Sequence, residues 1–281
     1  MRLPTGLRSL LDHGIIEEVV RPLMSGKEAQ VYLVISGGEQ RVAKIYKEAT
    51  NRSFKHRAQY TEGRRARNSR DRRAMAKRSR HGRKQEEAAW RSAEVDMIYR
   101  LRDAGVRVPT PHHFVDGVLV MELVQDADGW PAPRLGEVKF SREDAHTVFD
   151  LLISEVVKML CAGVVHGDLS DFNVLYGAEG PVVIDFPQSI EAASNQGARK
   201  ILMRDVANLN RFLLEYGPTK RPLRHAEEMW SLYEKGDLQP DTQLTGRFRA
   251  ANARVDLRGL LRELEEDERD EMRRRAAERG E

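Results

Sequence analysis

Apolar and polar residues alternate in short bursts through the first half of the chain and recur at helical spacing through much of the second. Val31, Leu33 and Ile35 alternate with other residues, Ser36-Gly37-Gly38 turns the chain, and Arg41 to Tyr46 reads as a returning strand. His113 to Val124 reads as another hairpin that runs into a polar break, Gln125 to Pro133. From about Lys84 the period becomes helical: Ala89, Ala93, Met97 and Leu101 recur four apart, with Trp90 and Ile98 beside them. Gly105 ends that helix, and Pro109 and Pro111 stiffen the connection after it. A longer helix is predicted from about Arg142 to Cys161, capped by Ser141, with Glu143 and Asp144 in its first turn. Its apolar set includes Val148, Leu152, Val156 and Leu160. Ala198 to Tyr216 predicts a further amphipathic helix, with Leu202, Val206, Leu209 and Leu213 on one face. Residues 1–20 read as a lead-in with a helical turn at L-R-S-L-L. Beyond Tyr216 the signal fades: 219–248 is mixed, with Trp230 and Tyr233 expected to pack on the helical part. Residues 253–281 are rich in Arg and Glu, a solvated, salt-bridge-laced helix or a frayed tail. There is no internal repeat.

The chemistry concentrates between Val164 and Gln188, V-V-H-G-D-L-S-D-F-N-V-L-Y-G-A-E-G-P-V-V-I-D-F-P-Q. Its β-like flanks and the turn glycines Gly177 and Gly180 predict a hairpin. Asp168 and Asn173 stand near one end and Asp185 just beyond the other. Three oxygen-bearing side chains gathered there suit hard Mg²⁺ ions bridging phosphates. Phosphoryl transfer needs such parts: a carboxylate to orient the attacking hydroxyl, and an Asn and an Asp to hold metal on a triphosphate. The plainer alternative is a hairpin with solvated turn residues, which D-x-x-x-x-N followed by an apolar strand ending in Asp argues against.

Two features upstream gain meaning from that stretch. V-A-K-I-Y places Lys44 inside an apolar strand, where a charge is costly unless paired. Its functional reading is a clamp on the α- and β-phosphates; the plain one is a lysine snorkelling from an edge strand. Ser25-Gly26-Lys27-Glu28-Ala29 sits before the first hairpin, where its backbone N–H groups are placed to cover phosphates. With one glycine, that loop is a weak signal alone. Glu94 lies on the helix after Lys84, and spacing alone makes it one more exposed carboxylate among Glu86, Glu87 and Asp96. After the second hairpin, Glu122 and Val124 are placed to offer backbone groups to an adenine edge, with Met121 behind.

Charge changes the picture at one place. Residues 52–84 hold 14 Lys/Arg against Glu62 and Asp71, a net of +12, while the rest of the chain nets −9. With few apolar residues, this run reads as a solvated flexible loop, a polyanion-binding loop, or both. The 281 residues suffice for one bilobal domain or two small ones. The one cysteine, Cys161, excludes an internal disulfide, fits a reducing compartment and is expected at a buried helix position. The start has no long apolar core, so no secretory signal is expected, and no stretch is long and apolar enough to span a membrane. A cytoplasmic location with no membrane partner is the expectation.

S-G-K-E-A-Q-V-Y, V-A-K-I-Y-K, the Arg-rich run, L-V-M-E, H-G-D-L-S-D-F-N-V-L-Y and V-I-D-F-P-Q-S, in this order, resemble a RIO-type atypical protein kinase, the type-one branch in a short bacterial form. The resemblance covers roughly residues 20–216. It implies an α+β, bilobal protein-kinase-like fold with a small β-rich N-lobe and a mostly helical C-lobe, lacking the helices that dock peptides. The expected divisions are a lead-in at 1–20, an N-lobe at 21–124 carrying the basic loop at about 52–84, a C-lobe at 125–218 and a charged extension at 219–281. It implies ATP with Mg²⁺ or Mn²⁺ at the cleft. Lys44 would contact phosphates with Glu94 as its partner, and Asp168 would be the catalytic Asp. Asn173 and Asp185 would hold metal. Ser25, Gly26, Lys27, Glu28 and Ala29, with Val31 on the next strand, would form the phosphate end of the ATP site; Met121, Glu122 and Val124 would form its hinge. Ser69 and Ser79 in the basic loop become autophosphorylation candidates, and Asp185 the candidate for an aspartyl-phosphate. The basic loop would contact ribosomal RNA or a ribosomal particle, and the protein substrate is left unnamed.

Departures from ordinary protein kinases matter. There is no G-x-G-x-x-G, Gly167 stands where an Arg usually precedes the catalytic Asp, D-F-P replaces D-F-G, and no A-P-E follows. These features place a generic peptide-kinase role in doubt and suit an ATPase switch. Two rival readings are a small-molecule kinase of the aminoglycoside or choline type and an RNA-binding assembly factor whose nucleotide site is structural. S-G-K-E-A-Q-V-Y and the Arg-rich loop weigh against the first, and the intact Lys44, Asp168, Asn173 and Asp185 set against the second.

Overall fold

Alternation of side chains builds the first lobe. The computed structural model describes residues 4–26, 29–46 and 94–249; the basic run at 52–84 with Ser69 and Ser79, the pair Lys27 and Glu28, and the Arg/Glu-rich stretch at 253–281 lie outside the described residues. β1 (Glu18–Ser25), β2 (Ala29–Ser36), β3 (Glu39–Tyr46), β4 (Pro111–Val115) and β5 (Val118–Glu122) form an antiparallel sheet in the order β1-β2-β3-β5-β4. Both expected hairpins are present, with turns at Gly37-Gly38 and Asp116-Gly117. β1 was not expected. It is an edge strand, mostly exposed, carrying Pro22 and two register shifts, so its sequence lacks clean alternation. Ser25 thus ends β1 and Ala29 opens β2, so the segment expected ahead of the β2–β3 hairpin also connects a preceding strand.

The sheet has two apolar faces. Tyr32, Val34, Ala43, Val118 and Val120 pack under the helix α1 (Thr5–Asp12) through Leu7 and Leu10, joined by Ile16. Burying each leucine is worth roughly 1.5–3 kcal/mol. Gly6 lets α1 approach so closely that a methyl group in its place would stand 2.8 Å from Val118 Cγ2. The opening residues are thus the outer cover of the sheet and belong to its core. On the opposite face Leu33, Val42 and Leu123 cluster with Val31 and Met121. The same alternation puts Lys44, between Val42 and Tyr46, on this inner face.

The helix entered at Glu94, α2 (94–103), buries Val95, Ile98 and Leu101. It joins a larger core centred on α3 (Arg142–Cys161). α3 starts as its sequence predicts: the Ser141 hydroxyl accepts from the Asp144 N–H at 3.1 Å. Cys161, at its end, is half-buried rather than fully buried, with Sγ 3.7 Å from the Leu238 carbonyl. Next come β6 (Val164–Val165), a 3₁₀ turn at Asp171–Asn173, the hairpin β7 (Val174–Gly177) and β8 (Gly180–Val183), and β9 (Ile190–Glu191), which pairs with β6. α4 (Ala198–Glu215) presents Leu202, Val206, Leu209 and Leu213 inward. α5 (His225–Lys235), absent from the sequence reading, brings Ala226, Met229 and Trp230 into the same core, with Tyr233 packed against it. Between the lobes, Gln125 bridges to Pro131 around a small loop that leaves Trp130 exposed. Among the described residues no helix is long and apolar enough to cross a membrane.

Candidate functional site

A cleft of about 910 Å³ lies between the sheet's inner face and the β7–β8 hairpin. Lys44 enters it from β3, with its side chain 12% exposed. Its Nζ donates to Glu94 Oε1 at 2.8 Å and to Asp185 Oδ1 at 2.9 Å. Burial works against the ammonium, but the two carboxylates outweigh it and hold the Lys44 pKa well above the ordinary lysine value. Glu94 is buried, 2% exposed, on the α2 face that meets Lys44. The plain reading of Glu94 as a surface carboxylate is therefore corrected. Lys44 also stands 5.2 Å above the Tyr46 ring, and burial keeps the Tyr46 phenol protonated.

Asp185 follows β8 with φ +69, a backbone setting that few residues other than glycine adopt. Burial works against its carboxylate, yet Lys44, and less strongly His166 and Arg134, hold its pKa below the usual aspartate range. Asp168 is exposed in the cleft wall, and its N–H donates to His166 Nδ1 at 3.2 Å. His166 Nε2 in turn meets the Ile184 carbonyl at 3.1 Å, and burial pushes this imidazole down to about 4. It is neutral at physiological pH. Asn173 Nδ2 donates to the Asp168 carbonyl at 2.7 Å and to Asp168 Oδ2 at 3.2 Å. That bond fixes the amide and leaves its Oδ1 turned away from Asp168. Asn173 Oδ1 and the Asp185 carboxylate are hard oxygen donors that fit a divalent cation. Among the described residues no three His, Cys, Asp or Glu side chains converge as a metal cage. The pair therefore fits a metal such as Mg²⁺ that takes one or two protein ligands and completes its shell with phosphate and water.

A family model described as the RIO domain matches residues 30–226. The chain belongs to the RIO family. A RIO-type serine/threonine-protein kinase Rio1 of Haloferax volcanii is 34% identical over 209 residues, covering 74% of this chain and 67% of that protein. The serine/threonine-protein kinases RIO1 of Caenorhabditis elegans and Homo sapiens are 32% and 33% identical over 74% and 79% of this chain. The chain spans only 39% and 38% of the length of those two animal relatives. A crystal structure of a kinase domain superposes with a TM-score of 0.50 at 11% identity, covering 92% of this chain and 86% of that one. At that identity it shows the fold: α+β, bilobal and kinase-like.

In this RIO chain the remaining expected residues fall as follows. Gly26, Ala29, Val31, Met121, Glu122 and Val124 line the cleft with Lys44, Glu94, Asp168, Asn173 and Asp185. Ser25 ends β1 opposite Gln30 and does not line it; the pleat that sends Met24 inward turns Ser25 away. Gly26 closes its turn by donating to the Ala29 carbonyl at 2.9 Å. At the hinge, the Glu122 N–H donates to the Thr110 carbonyl at 2.8 Å, and the Val124 carbonyl accepts from Ala132 N–H at 2.9 Å. Glu122 is further anchored through Oε2 by the Thr110 N–H at 2.9 Å.

The turn that carries Asp168 is clamped from behind by a set that sequence reasoning missed. Asp205 on α4 is 1% exposed and accepts from Gly167 N–H at 2.8 Å and Leu169 N–H at 3.3 Å. Arg204 donates to the Gly167 carbonyl, and Asn208 Nδ2 to the Leu169 carbonyl at 2.9 Å. Gly167 has φ +85, a setting that favours glycine and disfavours the arginine found there in ordinary kinases. The readable signal was an aspartate inside the apolar stripe formed by Leu202, Val206 and Leu209.

Proposed function

We propose that this RIO-family chain is an ATP-dependent phosphotransferase, a RIO-type serine/threonine kinase and ATPase. The observation that carries the reading is Lys44 Nζ bonded to both Glu94 and Asp185 inside a cleft that also holds Asp168 and Asn173. Paired this way, Lys44 stays cationic and fixed in place to meet the phosphate oxygens of ATP. Asp168 orients the acceptor hydroxyl and takes its proton as that oxygen bonds to the γ-phosphorus. The bond from the γ-phosphorus to the β,γ-bridging oxygen breaks, and ADP leaves. Water as acceptor gives ATP hydrolysis. Asn173 and Asp185 would hold a divalent metal, Mg²⁺ or Mn²⁺, which when bound neutralises charge on the phosphates. The Glu122 carbonyl and the Val124 N–H are the backbone groups offered to adenine, because the Glu122 N–H and the Val124 carbonyl are engaged within the protein.

The protein acceptor includes the chain itself, at Ser69 or Ser79 or, as an acyl phosphate, at Asp185. The basic run at 52–84 is proposed to contact ribosomal RNA or a ribosomal particle, and the chain to act in the cytoplasm in ribosome assembly. The test is metal-dependent ATP turnover and nucleotide affinity for the parent, Asp168→Ala and Asp185→Ala. Asp168→Ala is expected to lower turnover by about 10²–10⁴-fold with nucleotide affinity nearly kept. Asp185→Ala is expected to lose metal-dependent binding as well. Both variants hydrolysing ATP like the parent would sink the assignment.

A further inference from the structure

Among the described residues, two cations line the cleft, and they are treated very differently. Lys44 is held by two carboxylates. Arg134, from the segment after the hinge, lines the same cleft and makes no ion pair among the described residues. The acceptor its guanidinium reaches is the Met24 thioether, with Nη2 3.1 Å from Sδ. A thioether is a weak acceptor, and a guanidinium carries five N–H donors in a planar fork suited to phosphate oxygens. A cation that is partly buried with so poor a partner is a strong attractor for an anion.

The backbone around Arg134 is firmly set. Its N–H donates to Glu137 Oε2 at 3.0 Å, its carbonyl accepts from the Glu137 N–H at 2.9 Å, and it bridges to Leu175 on β7. Gly136 packs so tightly on the catalytic turn that a methyl group there would overlap the Asp171 carboxylate. The guanidinium therefore extends from a rigid base. It reaches the strand that leads into the Gly26 turn and lines the same cleft as Asp168 and Asp185. A nucleotide's polyphosphate would run through this space, past Asp168 and Asp185, both of which repel it.

We propose that Arg134 is an anion-binding residue of the cleft that takes oxygens of the nucleotide's phosphate chain, exchanging the Met24 thioether for them. The proposal deepens the phosphotransfer reading and rests on it. It assigns Arg134 to discrimination of ATP and ADP from adenosine, a task that Lys44, already matched by Glu94 and Asp185, performs with little net charge.

The full chain settles it by calorimetric titration with ATP plus Mg²⁺, ADP plus Mg²⁺, and adenosine, on the parent, Arg134→Gln and Arg134→Lys. For Arg134→Gln the ATP affinity is expected to fall roughly tenfold or more, the scale of a charge-assisted hydrogen bond. Adenosine affinity should not change. Arg134→Lys should recover most of the ATP affinity. Melting temperatures report whether each variant is folded. Equal weakening of ATP and adenosine by Arg134→Gln, or no weakening of either, overturns the role of Arg134. A parent that prefers ATP no more than adenosine overturns the phosphotransfer reading itself, a result distinct from both.

Discussion

Asp205 reaches from α4 to accept the Gly167 N–H at 2.8 Å, so a buried carboxylate holds the backbone immediately before Asp168. Removing it should loosen the turn that carries Asp168. Asp205→Ala leaves the Gly167 and Leu169 N–H groups buried without their acceptor. The expected cost is about 2–4 kcal/mol of folding stability, read by urea denaturation, with turnover falling more than nucleotide affinity. An Asp205→Ala protein as stable and active as the parent would remove the clamp from the account.

The same carboxylate predicts an unusual pH dependence. Burial pushes Asp205 up to about 7, against the pull of Arg204 and the two N–H groups. The folded protein therefore binds a proton that the unfolded chain releases near the ordinary aspartate value of about 3.9. The Asp205 contribution to stability is present at low pH and lost as pH rises through about 7. His166 acts in the opposite sense. Burial depresses it to about 4, so its contribution is present above the ordinary histidine value of about 6.5 and lost as pH falls toward 4. Over most of the window between, the two slopes oppose each other. Asp205→Asn, which cannot titrate, should make stability rise more steeply with pH across this window, by up to about 1.4 kcal/mol per pH unit. Denaturation curves collected at several pH values check this; a slope equal to the parent's counts against a protonated Asp205.

Lys44 and Glu94 should act as one unit. Each single change leaves a buried charge without its partner, so Lys44→Met and Glu94→Gln together should cost less than the sum of the two alone. The expected coupling on nucleotide affinity and turnover is about 0.5–3 kcal/mol. Strict additivity would show that the 2.8 Å contact carries no functional weight.

Gly167 should tolerate no side chain. At φ +85, Gly167→Ala is expected to cost about 1–2 kcal/mol and to slow turnover by displacing Asp168. Gly38, at φ +75 in the β2–β3 turn with open space around it, is the control: Gly38→Asn should keep activity because Asn accepts this backbone and nothing catalytic depends on it. Equal losses of activity in both variants would mean that Gly167 is an ordinary turn glycine.

The basic run makes its own prediction from charge. Changing the arginines between Arg64 and Arg80 to glutamine should weaken RNA binding and make its salt dependence shallower, because fewer counterions are released from the phosphate backbone. Basal ATP hydrolysis should stay close to the parent's. Phe54 and Tyr60 sit only near the start of the run, so sequence preference should be low. An unchanged salt slope would leave the run as a flexible insert.

Local chemistry was written in the sequence. Strands β2, β3 and β5 are short apolar runs bounded by turn residues because the sheet is buried on both faces, and α3 and α4 follow helical spacing, with a legible cap at Ser141, because each packs one face on the core. Lys44 in an apolar strand and Asp168, Asn173 and Asp185 around a hairpin were legible as chemistry, since charged and amide groups in such places need a reason. Tertiary structure decided the rest. β1 is an edge strand whose exposure erases its alternation, so only pairing with β2 reveals it. Glu94 looks like its exposed neighbours until α2 packs against the sheet and buries it beside Lys44. Asp205 and Arg134 lie 37 residues after and 34 before Asp168. Their meaning depends on which backbone groups and which cleft the fold brings to them, and no spacing along the chain records a contact made across a core.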